Sequence, residues 1–445
     1  MFALDFRSLC LFRVGLSLFI LFNLGQKAEF LQAHYTDEGV LPRADLLQVL
    51  DPWALSAHSL SGESGYQIFL FMIQAIFAVL LLINYQTRIS SCFCWLLEIS
   101  LQNRNPLLLD ASDSILSLAL LWFIFLPLER KGGETANESP AVYSLGTMGL
   151  IIQIFSIYFF SAILKIQSGM WLGVQDGGGI LYGLKDVFAT PIAGYMAKLP
   201  KSVLWVLSLG VLLLELMGPL FYLIFRKNRA VKFIIVMLFI LFHLGIGATI
   251  GIWRFAIISI ILWLPLIPAS LVSVQPKESL LSRGGKGLVG SMIVIITMAN
   301  LFSIGLFPHK LINYLHPALS ALNLHQNWSM FTSKAIEESS NYEFMGEGDE
   351  GSMNLFDIEE IVGNRQSSRW YNYLNSLYFD KNQQGWERLA NHVCHISSAK
   401  RGDSEQIHHV RIFRVGQGHN HNAKKRELGY FNCPTEMKRN GEVEP

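Results

Sequence analysis

Nine stretches of this 445-residue chain are apolar over roughly the length a helix needs to cross a bilayer, about 20 residues. No other feature restricts the fold so strongly. In hydrocarbon every backbone N–H and C=O must find its partner within the segment, so runs of this kind become helices. They centre on residues 9 to 25, 66 to 84, 89 to 102, 112 to 128, 147 to 165, 202 to 225, 231 to 250, 252 to 268 and 288 to 307. The third and eighth are short or crowded against their neighbours, so merging would leave eight crossings. The first is not a cleavable signal: Arg13 interrupts it and no small-residue cleavage site precedes Lys27 and Glu29. The expected fold is an all-α polytopic membrane bundle of about nine transmembrane helices with a small extracytoplasmic α+β C-terminal region.

The charges divide the chain in the same way. Residues 1–308 hold 37 of the 69 Asp, Glu, Lys and Arg, or 12% of their positions, whereas residues 309–445 hold 32, or 23%. Two parts are therefore expected: a transmembrane domain over 1–308 and a soluble region over 309–445. In the latter, the acidic, Gly- and Ser-rich stretch 336–353 reads as a mobile loop. Trp370, Tyr373, Leu374, Leu377 and Tyr378 have helical spacing within 369–394. Val410, Ile412, Phe413 and Val415 suggest a short strand ending near Gly416 and Gly418, and the basic stretch from Lys424 reads as frayed.

Short loops that keep Lys and Arg mark the cytoplasmic side. Arg88, the pair Arg130 and Lys131, the cluster Arg226, Lys227, Arg229 and Lys232, and then Lys277, Arg283 and Lys286 fall on one side if the N-terminus is cytoplasmic. The first loop on the other side is acidic. Nine crossings then place the tail outside the cytosol. Cys394 and Cys433 stand in that tail, where a disulfide is chemically permitted; Cys10, Cys92 and Cys94 lie in or near apolar runs and read as small buried hydrophobes. A net charge of +1 excludes a domain-wide basic surface, so nucleic acid is not an expected partner and the lipid bilayer is.

Ionisable groups at membrane depth are costly unless paired or lining a cavity, and each is a functional candidate. The candidates are Arg13, Glu98, Arg104, Asp110, Asp113, Lys165, Glu215, His243 and Arg254. Lys165 ends the run from Tyr158, just before Trp171. Poor solvation there favours the neutral amine, a general base; the plainer reading is an interfacial anchor beside Trp171. His243 reads as a donor or proton shuttle, or as a helix-to-helix hydrogen bond. Glu215 is a partner for Arg254 or His243. Nine of the twelve histidines lie in the tail without metal-ligand spacing, so no metal site is expected. Asp176-Gly177-Gly178-Gly179 follows no strand and reads as a loop rather than a phosphate cradle.

Five stretches, in order, resemble the horizontally transferred transmembrane (HTTM) domain family, whose best-understood relatives are the vitamin K-dependent gamma-carboxylases. They are Tyr35 to Arg43; Asn103-Arg104-Asn105-Pro106 with Asp110 and Asp113; Tyr158 to Lys165; Phe242-His243-Leu244; and Trp328-Ser329-Met330-Phe331. Where the carboxylases have a histidine, this chain has Asn105, which hydrogen-bonds but does not titrate. The resemblance implies Lys165 as the base that activates reduced vitamin K or menaquinol, with carbon dioxide and oxygen as co-substrates and a glutamyl residue of a secreted peptide or protein as acceptor. It implies His243 as a second catalytic group and Asn105, Arg104 and Trp171 as cofactor-binding residues, in a multi-pass protein of the bacterial inner or plasma membrane. The alternative is a non-catalytic membrane factor that matures or binds a secreted peptide or partner protein through its tail.

Overall fold

The computed structural model describes residues 2–128, 141–174, 177–268, 277–278, 283–332, 340–348, 351–357, 368–401, 407–416 and 424–434. All nine apolar runs are helical within it. In chain order the helices are α1 (Phe6–Glu29), two short ones in the first loop, α2 (Leu31–Tyr35) and α3 (Arg43–Val49), then α4 (Ser64–Leu82), α5 (Thr87–Arg104) and α6 (Ala111–Ile124). There follow α7 (Leu145–Gln167), the short α8 (Gly178–Gly183) and α9 (Pro191–Met196), α10 (Lys201–Ile224), α11 (Arg229–Ile250), α12 (Trp253–Trp263), α13 (Arg283–Ser303) and α14 (His309–Ala321). Among the described residues six helices, α1, α4, α7, α10, α11 and α13, are long and apolar enough to cross a membrane. That makes the chain an integral membrane protein in outline and stops short of nine spans. Helices α6 and α12 are shorter, and α5 carries Arg88, Glu98 and Arg104 in 18 residues.

The outward faces of these helices are as apolar as their inward ones. On α4, Ile68, Phe69, Met72 and Ile76 are exposed, and on α11 so are Phe233, Ile234, Leu238 and Leu241. A water-soluble helix would place polar residues there; hydrocarbon is the solvent that suits this surface. At one end of the bundle β1 (Leu4–Asp5) pairs antiparallel with β2 (Ala141–Tyr143), which pairs parallel with β3 (Lys277–Glu278). Three segments that loop charge assigns to one side therefore do share one face.

The tail is more ordered than its sequence suggests. Its described part is a four-stranded antiparallel sheet in the order β5 (Gly351–Asp357), β4 (Ser340–Gly348), β6 (Ile407–Gly416), β7 (Lys424–Asn432), with α15 (Ser368–Phe379) and α16 (Gln383–Arg401) between β5 and β6. The expected mobile loop over 336–353 is instead largely the β4–β5 hairpin; 336–339 lie outside the described residues. Charge is a poor guide here, because Glu343 and Glu347 sit on a partly exposed face of the inner strand β4 and pair with Lys425 at 2.8 Å and Arg411 at 3.0 Å. The stretch from Lys424, expected to fray, is β7, held along nearly all of β6. The helix expected over 369–394 is two, broken at Lys381, whose φ of +50° lies in the left-handed region. Cys394 and Cys433 form a disulfide across a separation of 39 residues, a closure that stabilises by about 4 kcal/mol on chain-entropy grounds. Of the other cysteines Cys94 is buried, whereas Cys10 and Cys92 are only half-buried.

Tail and bundle share one continuous core that runs from Phe12 and Leu16 through Trp122, Trp263 and Trp328 to Trp370, Trp386 and Val410. The docking is specific. Tyr373 on α15 donates to the Val40 carbonyl at 3.2 Å, and Arg388 on α16 pairs with Asp45 of α3 at 3.1 Å.

Candidate functional site

On α7, Tyr158, Ser161 and Lys165 follow one another at spacings of three and four, which places them on one helix face. That face meets α10, α11 and α12 around a cavity of about 300 Å³ whose walls are mostly aliphatic and aromatic. Lys165 is 3% exposed, and its ammonium donates to both oxygens of Glu215 on α10, at 2.5 and 2.6 Å; Glu215 is equally buried. The lysine also lies 4.9 Å from the centre of the Trp171 ring, within cation–π range. Glu215 is thus not the partner of Arg254 or His243. It is the counter-ion of Lys165, and both line the cavity.

The other end of the cavity is a hydrogen-bonded aromatic relay. Trp263 on α12 donates to the Tyr158 hydroxyl at 2.7 Å, and that hydroxyl lies 2.7 Å from His243 Nε2 on α11. Phe239 stacks on Trp263 at 4.0 Å between centroids and closes the cluster from behind. His243 Nδ1, Ser161 Oγ and Ser259 Oγ are buried, belong to residues that line the cavity, and have no hydrogen-bond partner among the described residues. Orphaned polar atoms are costly inside a protein, and here three belong to residues of one cavity wall.

Trp171 owes its place to the glycines that open α8. A side chain at Gly179 would put its Cβ 2.1 Å from the Trp171 ring, and Gly178 has a φ of +69° with Ser208 Oγ 2.5 Å from the place a Cβ would take. Gly177–Gly179 is therefore neither a plain loop nor a phosphate cradle: it opens α8 and lets the chain lie flat against Trp171. On its other side the indole N–H donates to the Phe331 carbonyl at 2.8 Å. Met330 and Phe331 form the cavity wall at that point, and Phe331 has a φ of +59°, which a non-glycine residue adopts only when its surroundings impose it. A buried amide clamp lies just upstream of it. Gln153 on α7 and Asn300 on α13 donate to Gln326 Oε1 at 3.0 and 2.9 Å, fixing the segment that leads to Phe331. None of these three amides carries a charge, so a search for ionisable groups passes over them; Gln153, alone between Ile152 and Ile154, was the visible signal.

Lys165, His243 and Trp171 thus come together, but Arg104 and Asn105 do not join them. Arg104 donates to the Leu41 carbonyl at 2.8 Å and reaches Asp37 at 3.4 Å, and Asn105 donates to the His34 carbonyl at 2.9 Å. Both fasten the first loop to the end of α5. The His34 imidazole beside them is packed between Phe30 and Trp370, and burial holds it well below its usual pKa.

Next to this loop lies a second buried polar cluster. Lys27 pairs with Glu98 at 2.8 Å and Asp113 at 3.6 Å; Arg369 from the tail binds Asp113 at 2.9 Å and Asn23 at 3.0 Å; Arg254 pairs with Asp110 and lies 3.7 Å from Asp113. Gln74 and Gln102 complete the shell of Glu98 at 2.9 and 3.1 Å. Three cations meet three anions, drawn from α1, α5, α6, α12 and α15. Among the described residues no group of His, Cys, Asp and Glu has the arrangement of a metal site.

No family model, curated protein or solved structure matches this chain.

Proposed function

We propose that the protein is a multi-pass membrane enzyme that binds a reduced quinone, menaquinol or vitamin K hydroquinone, in the cavity between α7, α10, α11 and α12, and uses the Lys165–Glu215 pair to take up the quinol proton. The observation that carries this reading is a lysine–carboxylate pair buried at the edge of a largely apolar cavity, where a structural ion pair would be closed over. A cavity of about 300 Å³ with polar atoms at two ends and hydrocarbon between suits an apolar ring that carries oxygens. The ion pair is neutral as a unit. When it accepts a proton, Lys165 remains an ammonium and Glu215 becomes the acid, so the carboxylate is the atom with room for the proton and the lysine holds it in place. The free amine expected from the sequence is not required.

A bound quinol would supply the oxygen-dependent reducing chemistry by which the gamma-carboxylases carboxylate glutamyl residues. The resemblance in five ordered stretches supports carboxylation of a secreted peptide or protein as the coupled reaction. Water exclusion by Phe331, Met330 and Trp171 serves such chemistry, since a strong base formed there would otherwise be quenched. On this reading α5, α6 and α12 complete nine crossings, the N-terminus is cytoplasmic and the tail is extracytoplasmic. The Cys394–Cys433 disulfide and the loop charges support that orientation.

The test is reconstitution in lipid nanodiscs with reduced menaquinone or vitamin K, a glutamate-rich peptide and labelled bicarbonate. Label enters the peptide with the wild-type protein and not with Lys165→Ala; if the wild-type protein oxidises no quinol, the reading fails. Deleting residues 332–445 does not separate an enzyme from a non-catalytic factor, because Arg369 and Trp370 of the tail belong to the core of the bundle.

A further inference from the structure

The relay at the far end of the cavity determines which nitrogen of His243 carries a proton. An indole N–H can only donate, so Trp263 fills one lone pair of the Tyr158 oxygen. Two arrangements of the Tyr158 to His243 contact are then possible. If His243 Nε2 donated, the tyrosine hydrogen would have no acceptor and Nδ1 would be a bare buried acceptor, leaving two groups unsatisfied. If Tyr158 donates to Nε2, the hydroxyl is fully used and one group remains, the Nδ1–H. A buried unmade hydrogen bond is costly, so the arrangement that leaves one such group wins over the one that leaves two.

We propose that Tyr158, held by Trp263, is a positioning residue that fixes neutral His243 as an Nδ1–H donor to the ligand, so that the cavity selects an apolar ring bearing an acceptor oxygen at this end. The inference rests on the quinone reading for the identity of the ligand and on the hydrogen-bond geometry alone for the tautomer. Tyr158 and Lys165 are seven residues apart on α7, about 10 Å along the axis at 1.5 Å per residue. The donor and the ion pair therefore address opposite ends of a ligand. Ser161 lies between them on the same face, its hydroxyl also unused. A ring with oxygens at both ends satisfies the two polar poles together, whereas a hydrocarbon of equal size leaves His243 Nδ1–H as it is.

The experiment is solid-state nitrogen-15 NMR of the full chain in lipid bilayers with labelled histidine, His243 being assigned by its loss in His243→Gln. At neutral pH the His243 signals are expected to be those of a neutral imidazole protonated at Nδ1. In Tyr158→Phe the constraint is gone and the Nε2–H form appears. Menadione is the probe: it shifts Nδ1 in the wild-type protein and binds at least tenfold more weakly to Tyr158→Phe. The matched hydrocarbon 2-methylnaphthalene shifts nothing and binds both proteins equally. An Nε2–H tautomer in the wild-type protein overturns the proposal, and needs no variant to fold. Equal menadione affinity in wild type and Tyr158→Phe overturns it as well. An Nδ1–H tautomer that ignores menadione upholds the donor assignment and defeats the quinone reading instead.

Discussion

Two groups of buried charge lie in this bundle, and they are built differently. Around Glu98 and Asp113 the cations Lys27, Arg254 and Arg369 are held on opposite charges and fenced by glutamines, with helices on every side. Around Lys165 a single ion pair stands at the wall of a cavity beside three polar atoms that have no partner among the described residues. Both clusters contain charges at a depth where charge is expensive. The second sets three residues with unpartnered polar atoms along the wall of one apolar cavity. The five stretches singled out in the sequence sort the same way. Tyr35 to Arg43 and Asn103 to Asp113 converge on the closed network and the loop fastened to it; Tyr158 to Lys165, Phe242 to Leu244 and Trp328 to Phe331 converge on the cavity. The difference separates a charge cluster that joins elements from one that is prepared for a ligand.

The hardest way to break the contrast is to unpair the closed network. Asp113→Ala strands Arg369 and weakens the hold on Lys27 and Arg254. Removal of one partner from a buried charge group costs about 3 to 5 kcal/mol. A thermal or urea melt in nanodiscs should show that loss, with the tail detaching from the bundle. A melt unchanged within 1 kcal/mol would mean that the network is not holding them together.

Replacing both partners at the cavity should act in the opposite sense. In Lys165→Met with Glu215→Leu the desolvation cost of two charges disappears together with their attraction, and such swaps are neutral or stabilising within about 1 to 4 kcal/mol. The double variant should therefore fold normally and lose quinol oxidation at least 100-fold, the scale of an absent general base. If it unfolds, the pair is structural. If it turns over quinol, the pair is not the base.

How much of this was readable beforehand follows from range. The nine apolar runs became nine helices, because hydrophobic length is a local property that a bilayer reads directly. Lys165, His243 and Trp171 were found because a polar residue within an apolar run stands out. Arg104 and Asn105 stood out equally and went to the first loop, since only tertiary contact decides which buried charge meets which carboxylate. Glu215 was visible, and its partner was not. The tail was read worst. The β4–β5 hairpin and β7 carry charged residues among polar and apolar ones, and their β structure comes from β4 and β7 pairing with β6 and from the Cys394–Cys433 closure, neither of which is local.

Acid offers a milder separation of the two regions. The imidazoles of His34 and His392 flank Trp370 where the tail docks, and burial lowers both, His392 to about 4. Each resists protonation in the folded state and accepts it freely when unfolded, near pH 6.5. Their stabilising contribution is complete above that value and falls as pH drops from about 6.5 toward 4, because the unfolded chain then binds more protons. For His392, which is partly exposed, roughly 2 kcal/mol is a fair scale. Stability followed by denaturant melts should decline over that window, and His392→Gln should flatten the decline. An unaltered slope in the variant would remove His392 from the docking surface.

The smallest predicted effect is the most selective one. Ser161 is buried, yet its hydroxyl makes no hydrogen bond, so Ser161→Ala discards a polar group that folding had desolvated without return. Its stability should be unchanged or higher by up to about 1 kcal/mol. Gln102, equally buried, donates both to Glu98 and to the Asp113 carbonyl, and Gln102→Ala should lower stability by about 1 to 3 kcal/mol. Opposite signs from two buried polar deletions, measured in one melt series, would show that Gln102 is satisfied where it stands and Ser161 is waiting for a partner. If Ser161→Ala destabilised as much as Gln102→Ala, its hydroxyl would already be satisfied within the folded protein, and the distinction between a closed network and a prepared site would fail.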